Sequence, residues 1–282
     1  MRGGKISQGW IAGLLAVLLA SLAHTGSAME LNGRLIQGGL IWGKVPPGST
    51  VELGEYAVRV ADDGTFAAGF DRDAPPRVVL QVCPPEKACE HSELAIEQRQ
   101  YNIQRIEGVP QKTVTPPAEV LDRIRREAAL VGKARKRYVQ RQDFAAPFRW
   151  PLIGPITGVF GSQRVYNGTP GRPHYGVDVA RPTGAVVVAP QDGVVTLAHP
   201  DMFYSGGTLI LDHGQGISST FIHLSKLLVE KGQEIKQGDP IAEVGATGRA
   251  TGPHLDWRMN WHGQRLDPAL LVGEMPALES PH

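Results

Sequence analysis

The residues best suited to chemistry lie in the C-terminal half, as three polar clusters on a background rich in Gly, Val and Ile. They are Arg172-Pro-His174-Tyr-Gly-Val-Asp178, Phe221-Ile-His223-Leu-Ser225 and Gly252-Pro-His254-Leu-Asp256-Trp257. Imidazole nitrogens and carboxylate oxygens are what a four-coordinate metal ion and its water need. His174 and Asp178 are four residues apart, about 13 Å along a straight strand, too far for two ligands at about 2 Å from one zinc. The chain must therefore bend between them, and Gly176 is a residue that permits a bend. Asp178 sits in Gly-Val-Asp-Val-Ala, which reads as a strand, with His174 on the loop before it. His254 and Asp256 are two apart, hence on one face of a strand and roughly 7 Å apart at Cα. His223 lies in an apolar setting where a lone histidine is ordinarily a satisfied core residue. A His–Asp pair without metal is also an ordinary hydrogen bond. Three such clusters in one small region favour a shared site over either reading.

The elements that must position these clusters are short strands. From Pro147 to Val244, Gly, Pro and β-branched residues dominate, and runs such as Ala185–Ala189, Thr208–Leu211 and Ile241–Val244 end in tight Gly turns. This predicts a compact antiparallel β-barrel or sandwich over residues 146–275, followed by a tail over 276–282. From Leu31 to about Glu107 the pattern is again short and alternating: Val58 and Val60, then Val78, Leu80 and Val82, then Leu94 and Ile96, with Asp63-Gly64 as a hairpin turn. That predicts a small antiparallel β-sandwich over residues 29–110, so the fold class is mainly β. Nothing in it resembles a catalytic constellation, and His91 reads as a surface residue.

Between the two, residues 111–145 read as a basic helical linker. Thr115 is a suitable cap and Pro116 suits a first turn. Leu121, Ile124, Ala128, Val131 and Tyr138 then draw one apolar stripe. Eight basic residues lie between Arg123 and Arg141. The plain reading is a solvated helix face, and the sharper one is a contact to an anionic wall polymer.

Composition narrows the class further. The chain has 282 residues, 41% hydrophobic and 20% charged, long enough for one or two domains with their own cores. Residues 1–28 read as a cleaved signal peptide: Arg2 and Lys5, an apolar run from Trp10 to Ala20, then Gly26-Ser27-Ala28. The run is shorter than the roughly 20 residues a membrane helix needs, so no transmembrane anchor is expected after cleavage. Removing that segment takes away two basic and no acidic residues, so the formal charge goes from +1 to −1. A near-neutral chain has no general electrostatic reason to bind nucleic acid or anionic membrane. Cys83 and Cys89, the only cysteines, read as a structural disulfide in an exported protein.

The three clusters, in order and together with Phe160-Gly161-Ser162 and Ala189-Pro190-x-Asp-Gly193-x-Val195, resemble the motifs of the M23 (lysostaphin/LytM-type) zinc metallopeptidases. The resemblance covers about Phe148 to Pro268. It implies one Zn²⁺, with His174 and Asp178 as ligands and Asp256 at the third ligand position, where the family has histidine. It also implies that His223 and His254 are catalytic, one as general base and one stabilising the oxyanion; the residues alone leave open which does which. The implied activity is endopeptidase cleavage of peptide cross-links in bacterial peptidoglycan, in the periplasm or outside the cell. The alternative is a weakened or inactive LytM-type module that binds the wall and activates another wall hydrolase; such a hydrolase, or a regulator, is the protein partner the resemblance implies.

Asp256 departs from the family pattern in a way that matters physically. Two neutral imidazoles and one carboxylate leave zinc with a net charge of +1, whereas one imidazole and two carboxylates leave zero. A less positive ion acidifies its water less, although carboxylate remains an accepted ligand. His262 is the other imidazole nearby in sequence, but its spacing does not fit a strand ligand pair. Gln191–Val195 and Lys236–Ile241 also resemble the half-motifs of biotinyl and lipoyl carrier domains. No suitably placed lysine lies between them, so that likeness bears on fold alone.

Overall fold

The structure, a computed structural model, describes residues 29–106 and 118–277. The expected signal segment and the Thr115-Pro116 helix cap lie outside the described residues. The N-terminal part contributes β1 (Leu31–Gly33), β2 (Leu40–Lys44), β3 (Thr50–Leu53) and β4 (Tyr56–Val58). It continues with β5 (Thr65–Gly69), β6 (Arg77–Cys83), β7 (Glu90–Ala95) and β8 (Ile103–Ile106). Period-two alternation is visible in burial along β3, where Val51 and Leu53 are buried between exposed neighbours. These strands form a sheet β1-β2-β5 and a sheet β4-β3-β6-β7, with Ile41, Val51, Phe66 and Leu80 among the buried residues. The turn at Asp63-Gly64 is present: Gly64 takes φ +85°, and Val60 bridges Phe66 across it. Cys83 and Cys89 are joined by a disulfide between β6 and β7. His91 is exposed and donates to Gln81 Oε1.

Helix α1 (Leu121–Arg135) follows. Its packed face is carried by Val131 and Ala134, which meet Leu197, Met202 and Ile210. Ala128, expected on that stripe, is exposed, and Tyr138 lies beyond the helix end. The helix is not simply a solvated linker. Arg123 pairs with Asp201, Glu127 accepts a hydrogen bond from the backbone N of Phe203, and Arg135 reaches Thr220.

The C-terminal part begins with β9 (Ile156–Gly158), β10 (Gln163–Tyr166), β11 (Thr169–Pro170), β12 (Val177–Ala180) and β13 (Val186–Val188). The long strands come next: β14 (Gly193–Met202), β15 (Gly206–Gly214) and β16 (Ile217–Leu224). Then follow β17 (Lys226–Leu227), β18 (Glu234–Ile235), β19 (Pro240–Glu243), β20 (His254–Trp261) and β21 (Gln264–Leu266). The main sheet runs β18-β14-β15-β16-β20-β12-β9, with β21 paired to β20. It is open at both ends, so of the two expected forms the closed barrel is not the one adopted. Strand β8 pairs in parallel with β10, which ties the N-terminal part to the C-terminal part through backbone hydrogen bonds.

One face of the main sheet carries Phe221, Leu255, Trp257 and Met259 into the core. Burying each such large side chain contributes about 1.5–3 kcal/mol, which is what holds β16 and β20 in register. The opposite face carries Asp256 and, across the ladders, Ile222 and Asp178. Among the described residues, no helix is long and apolar enough to cross a membrane.

Candidate metal centre and its histidines

On the β12–β20 ladder Asp178 stands directly opposite Asp256, and Ala180 opposite His254. Antiparallel pairing therefore brings together two carboxylates separated by 78 positions in the chain (256 − 178). His174 lies on the loop before β12 and closes the group, its Nε2 being 3.0 Å from Asp178 Oδ1 and 3.9 Å from Asp256 Oδ2. One donor atom from each of His174, Asp178 and Asp256 lies within 4.8 Å of the others. Ligands about 2.0–2.2 Å from a tetrahedral ion are roughly 3.3 Å apart, so the three donors bracket the spacing a zinc ion needs. The other ring nitrogen, His174 Nδ1, is buried without a hydrogen-bond partner, and Nε2 is the atom that faces both carboxylates.

Room for the two carboxylates is made by glycines. A Cβ on Gly176 would sit 2.5 Å from Asp256 Oδ1, and one on Gly158 would sit 2.2 Å from Asp178 Oδ2. Gly176 is thus needed for space beside Asp256 rather than for a left-handed bend, since its φ is not positive.

His223 and His254 flank the group, their ring centroids 4.9 Å apart. Nδ1 of His223 donates to the carbonyl of Thr247 (2.8 Å), and Nδ1 of His254 donates to the carbonyl of Gly252 (2.8 Å). A carbonyl only accepts, so both neutral rings carry their proton on Nδ1 and keep the Nε2 lone pair free. His254 Nε2 lies 3.9 Å from Asp178 Oδ1. His223 reaches this face by a local break in the strand. Its neighbour Ile222 pairs with Asp256, so regular alternation would send His223 to the other side. It has φ +67°, a left-handed conformation rare for a residue with a Cβ, and that turns the ring back toward His254.

The electrostatics separate the two aspartates. Asp256 is buried and accepts two hydrogen bonds from Arg258, Nε to Oδ1 (2.9 Å) and Nη2 to Oδ2 (2.5 Å). Burial pushes its carboxyl upward, but the paired guanidinium outweighs burial and holds it below the usual range. Asp178 has no such partner; burial and the neighbouring Asp256 charge push it up to about 7. Two carboxylates that share one space, with one guanidinium committed to one of them, are short of positive charge. Burial also lowers His174 and His223, favouring neutral rings able to donate a lone pair.

His262 is not part of this group. It sits in the turn after Trp261, and Trp261 closes the far end of β20, roughly 24 Å along the strand from His254. His213 is a fully buried core residue: Nδ1 donates to the Asp192 carbonyl (2.6 Å) and Nε2 faces Ser219 Oγ (2.8 Å). Sequence reading missed Arg258, although its position two residues past Asp256 on a strand places it on the same face.

Residues 172–268 match the family described as Peptidase family M23. They are a peptidase family M23 domain. That peptidase domain spans the cluster from just before His174 to just past β21. Among curated relatives, the peptidoglycan DD-endopeptidase ShyB of Vibrio cholerae is 44% identical over 129 residues, covering 44% of this chain and 29% of that protein. An uncharacterized metalloprotease of Haemophilus influenzae is 36% identical over 152 residues, covering 53% of this chain and 29% of that protein. The chain thus spans less than a third of the length of these relatives. A crystal structure from Pseudomonas aeruginosa, assigned to peptidase M23, is 28% identical with a TM-score of 0.65. It matches 85% of this chain and 96% of its own, so the likeness takes in the N-terminal strands as well as the M23 domain.

Proposed function

We propose that this chain is a zinc-dependent endopeptidase that cleaves peptide cross-links of bacterial peptidoglycan, acting in the periplasm or outside the cell. The observation that carries the reading is the convergence of His174, Asp178 and Asp256 within 4.8 Å, beside two histidines whose Nε2 atoms are free. The names of relatives such as ShyB supply the substrate class.

The donor set suits zinc: one neutral imidazole and two carboxylates with donor atoms within 4.8 Å of one another, and positive charge lacking around Asp178. His174 Nε2, one oxygen of Asp178 and Oδ2 of Asp256 are the atoms assigned to hold it. When bound, zinc polarises a carbonyl and acidifies water. The chain's own groups do the rest. One of His223 and His254 takes the proton of the attacking water on its free Nε2 and passes it to the leaving amine. The other, once protonated on Nε2, donates to the oxygen that gains negative charge. The Thr247 and Gly252 carbonyls hold both rings in the tautomer that leaves Nε2 available. Arg258 holds the plane of the Asp256 carboxylate, so the third donor does not depend on the metal for its orientation.

The test is digestion of purified sacculi by the full chain, with zinc content measured on the same sample. Soluble cross-link peptides should be released, and His223→Gln and His254→Gln should each lower the rate by at least about a hundredfold. Zinc-replete protein that releases no peptide refutes the reading.

A further inference from the structure

Beside the metal centre three arginines converge from three elements. Arg258 is on β20, Arg265 on β21 opposite Asn260, and Arg135 near the end of α1. Arg135 donates from Nη2 to Thr220 Oγ1 (2.9 Å), and Thr220 faces Arg258 across the β16–β20 ladder. Asp256 is the one carboxylate that pairs with any of the three among the described residues, and it takes Nε and Nη2 of Arg258 only. Arg265 makes no ion pair among the described residues; its guanidinium lies 5.5 Å from the centre of the Tyr175 ring, one residue from His174. Arg135 Nε is buried without a hydrogen-bond partner, and so are Ser218 Oγ and Asn260 Oδ1, which belong to facing residues of β16 and β20. Burial, then repulsion from Arg265 and Arg258, pulls the Arg135 guanidinium down to about 9. Three guanidiniums with one carboxylate among them, next to unpaired polar atoms, make a place where a second anion is stabilised.

We propose that Arg135, Arg258 and Arg265 form a subsite for a free carboxylate of the substrate, on the amine side of the scissile bond. The proposal rests on the endopeptidase reading for the identity of the substrate. A D,D-peptide bond joins one D-residue to the amine of another D-centre, and that centre carries its own carboxyl group. The carboxyl carbon lies two bonds from the scissile nitrogen, about 2.5 Å. Arg258 lies two residues beyond Asp256 on the same face of β20, and its guanidinium is held against that carboxylate, 2.9 Å from Oδ1 and 2.5 Å from Oδ2. A peptide whose scissile carbonyl sits at the His174, Asp178 and Asp256 group thus brings that carboxylate to Arg258, with Arg265 and Arg135 behind it. Side-chain exposure of 29% leaves Arg258 within reach of a ligand. The subsite selects cross-links whose carboxylate is free over those in which it is amidated.

The test is equilibrium binding of N-acetyl-D-alanyl-D-alanine and its C-terminal amide to the full chain, in a chelator so that turnover does not intrude. The acid should bind at least about tenfold more tightly than the amide, which is the contribution of one charge-assisted hydrogen bond. Arg135→Gln and Arg265→Gln should each shrink that preference to under about threefold, and Arg265→Lys should keep part of it. Equal binding of acid and amide by the unaltered chain overturns the proposal. So does full preference in both Gln variants with unchanged melting temperatures. Sacculus digestion reads the endopeptidase assignment separately: preference for the acid without hydrolysis would end that assignment and leave the subsite standing.

Discussion

Asp178 and Asp256 face each other across the β12–β20 ladder, and only Asp256 has a guanidinium partner. That asymmetry leaves the pair short of one positive charge, which the proposed zinc would supply. Asp256 stays ionised beside Arg258, and Asp178 is raised to about 7 until a further positive charge arrives. Asp256→Ala should lower zinc affinity by at least about tenfold, and Asp178→Asn should do the same, measured by competition with a chromogenic chelator. Asp256→His should retain zinc. Unchanged occupancy in Asp256→Ala would show that the third ligand is another group.

Arg258 should matter to stability before metal is considered. Removing one partner of a buried pair leaves the other charge uncompensated, which costs about 3–5 kcal/mol when both are fully buried. Arg258 is partly exposed, so Arg258→Leu should cost about 3 kcal/mol in chemical denaturation of the metal-free chain.

Gly176 offers a test of space. An added Cβ would stand 2.5 Å from Asp256 Oδ1 and 2.6 Å from the Trp257 carbonyl oxygen, and the backbone there cannot yield cheaply. Gly176→Ala should destabilise the chain by about 1–3 kcal/mol and weaken zinc binding together. Gly252→Ala, where an added Cβ meets nothing within 4 Å, is the control and should leave the melting temperature near that of the parent.

Much of this was legible in the chain before any coordinates. Histidine and aspartate at their spacings marked the side chains that converge on the β12–β20 ladder, and two-residue alternation marked the mainly β fold. What was not legible depends on pairing between distant strands. Nothing in the string Phe-Ile-His-Leu-Ser announces that His223 takes a left-handed φ and turns out of its strand's alternation. The partner of Asp256 was two residues away, yet a charged residue at that spacing becomes meaningful only once the strand face is known to be closed. The helix stripe was read with Ala128 inward. The packed apolar contacts run through Val131, which that stripe included, and Ala134, which it did not, against Leu197, Met202 and Ile210.

His213 predicts a pH dependence away from the site. Burial lowers this imidazole to about 4, below its ordinary value of 6.5. A base depressed in the folded state contributes stability that is complete above the unfolded value and is lost as pH falls from about 6.5 toward 4. Over that window the loss should reach roughly 3 kcal/mol. Denaturation at pH 7 and pH 4.5 should show it, and His213→Gln should flatten the difference.

The account turns on whether this metal group cuts peptide bonds in the wall. The most direct measurement is the release of soluble peptides from purified sacculi by the full chain, before chelation, after chelation and after zinc is returned. The account predicts release, its loss on chelation, and its recovery with zinc. A chain that binds one zinc ion and releases nothing in any of the three states would contradict it.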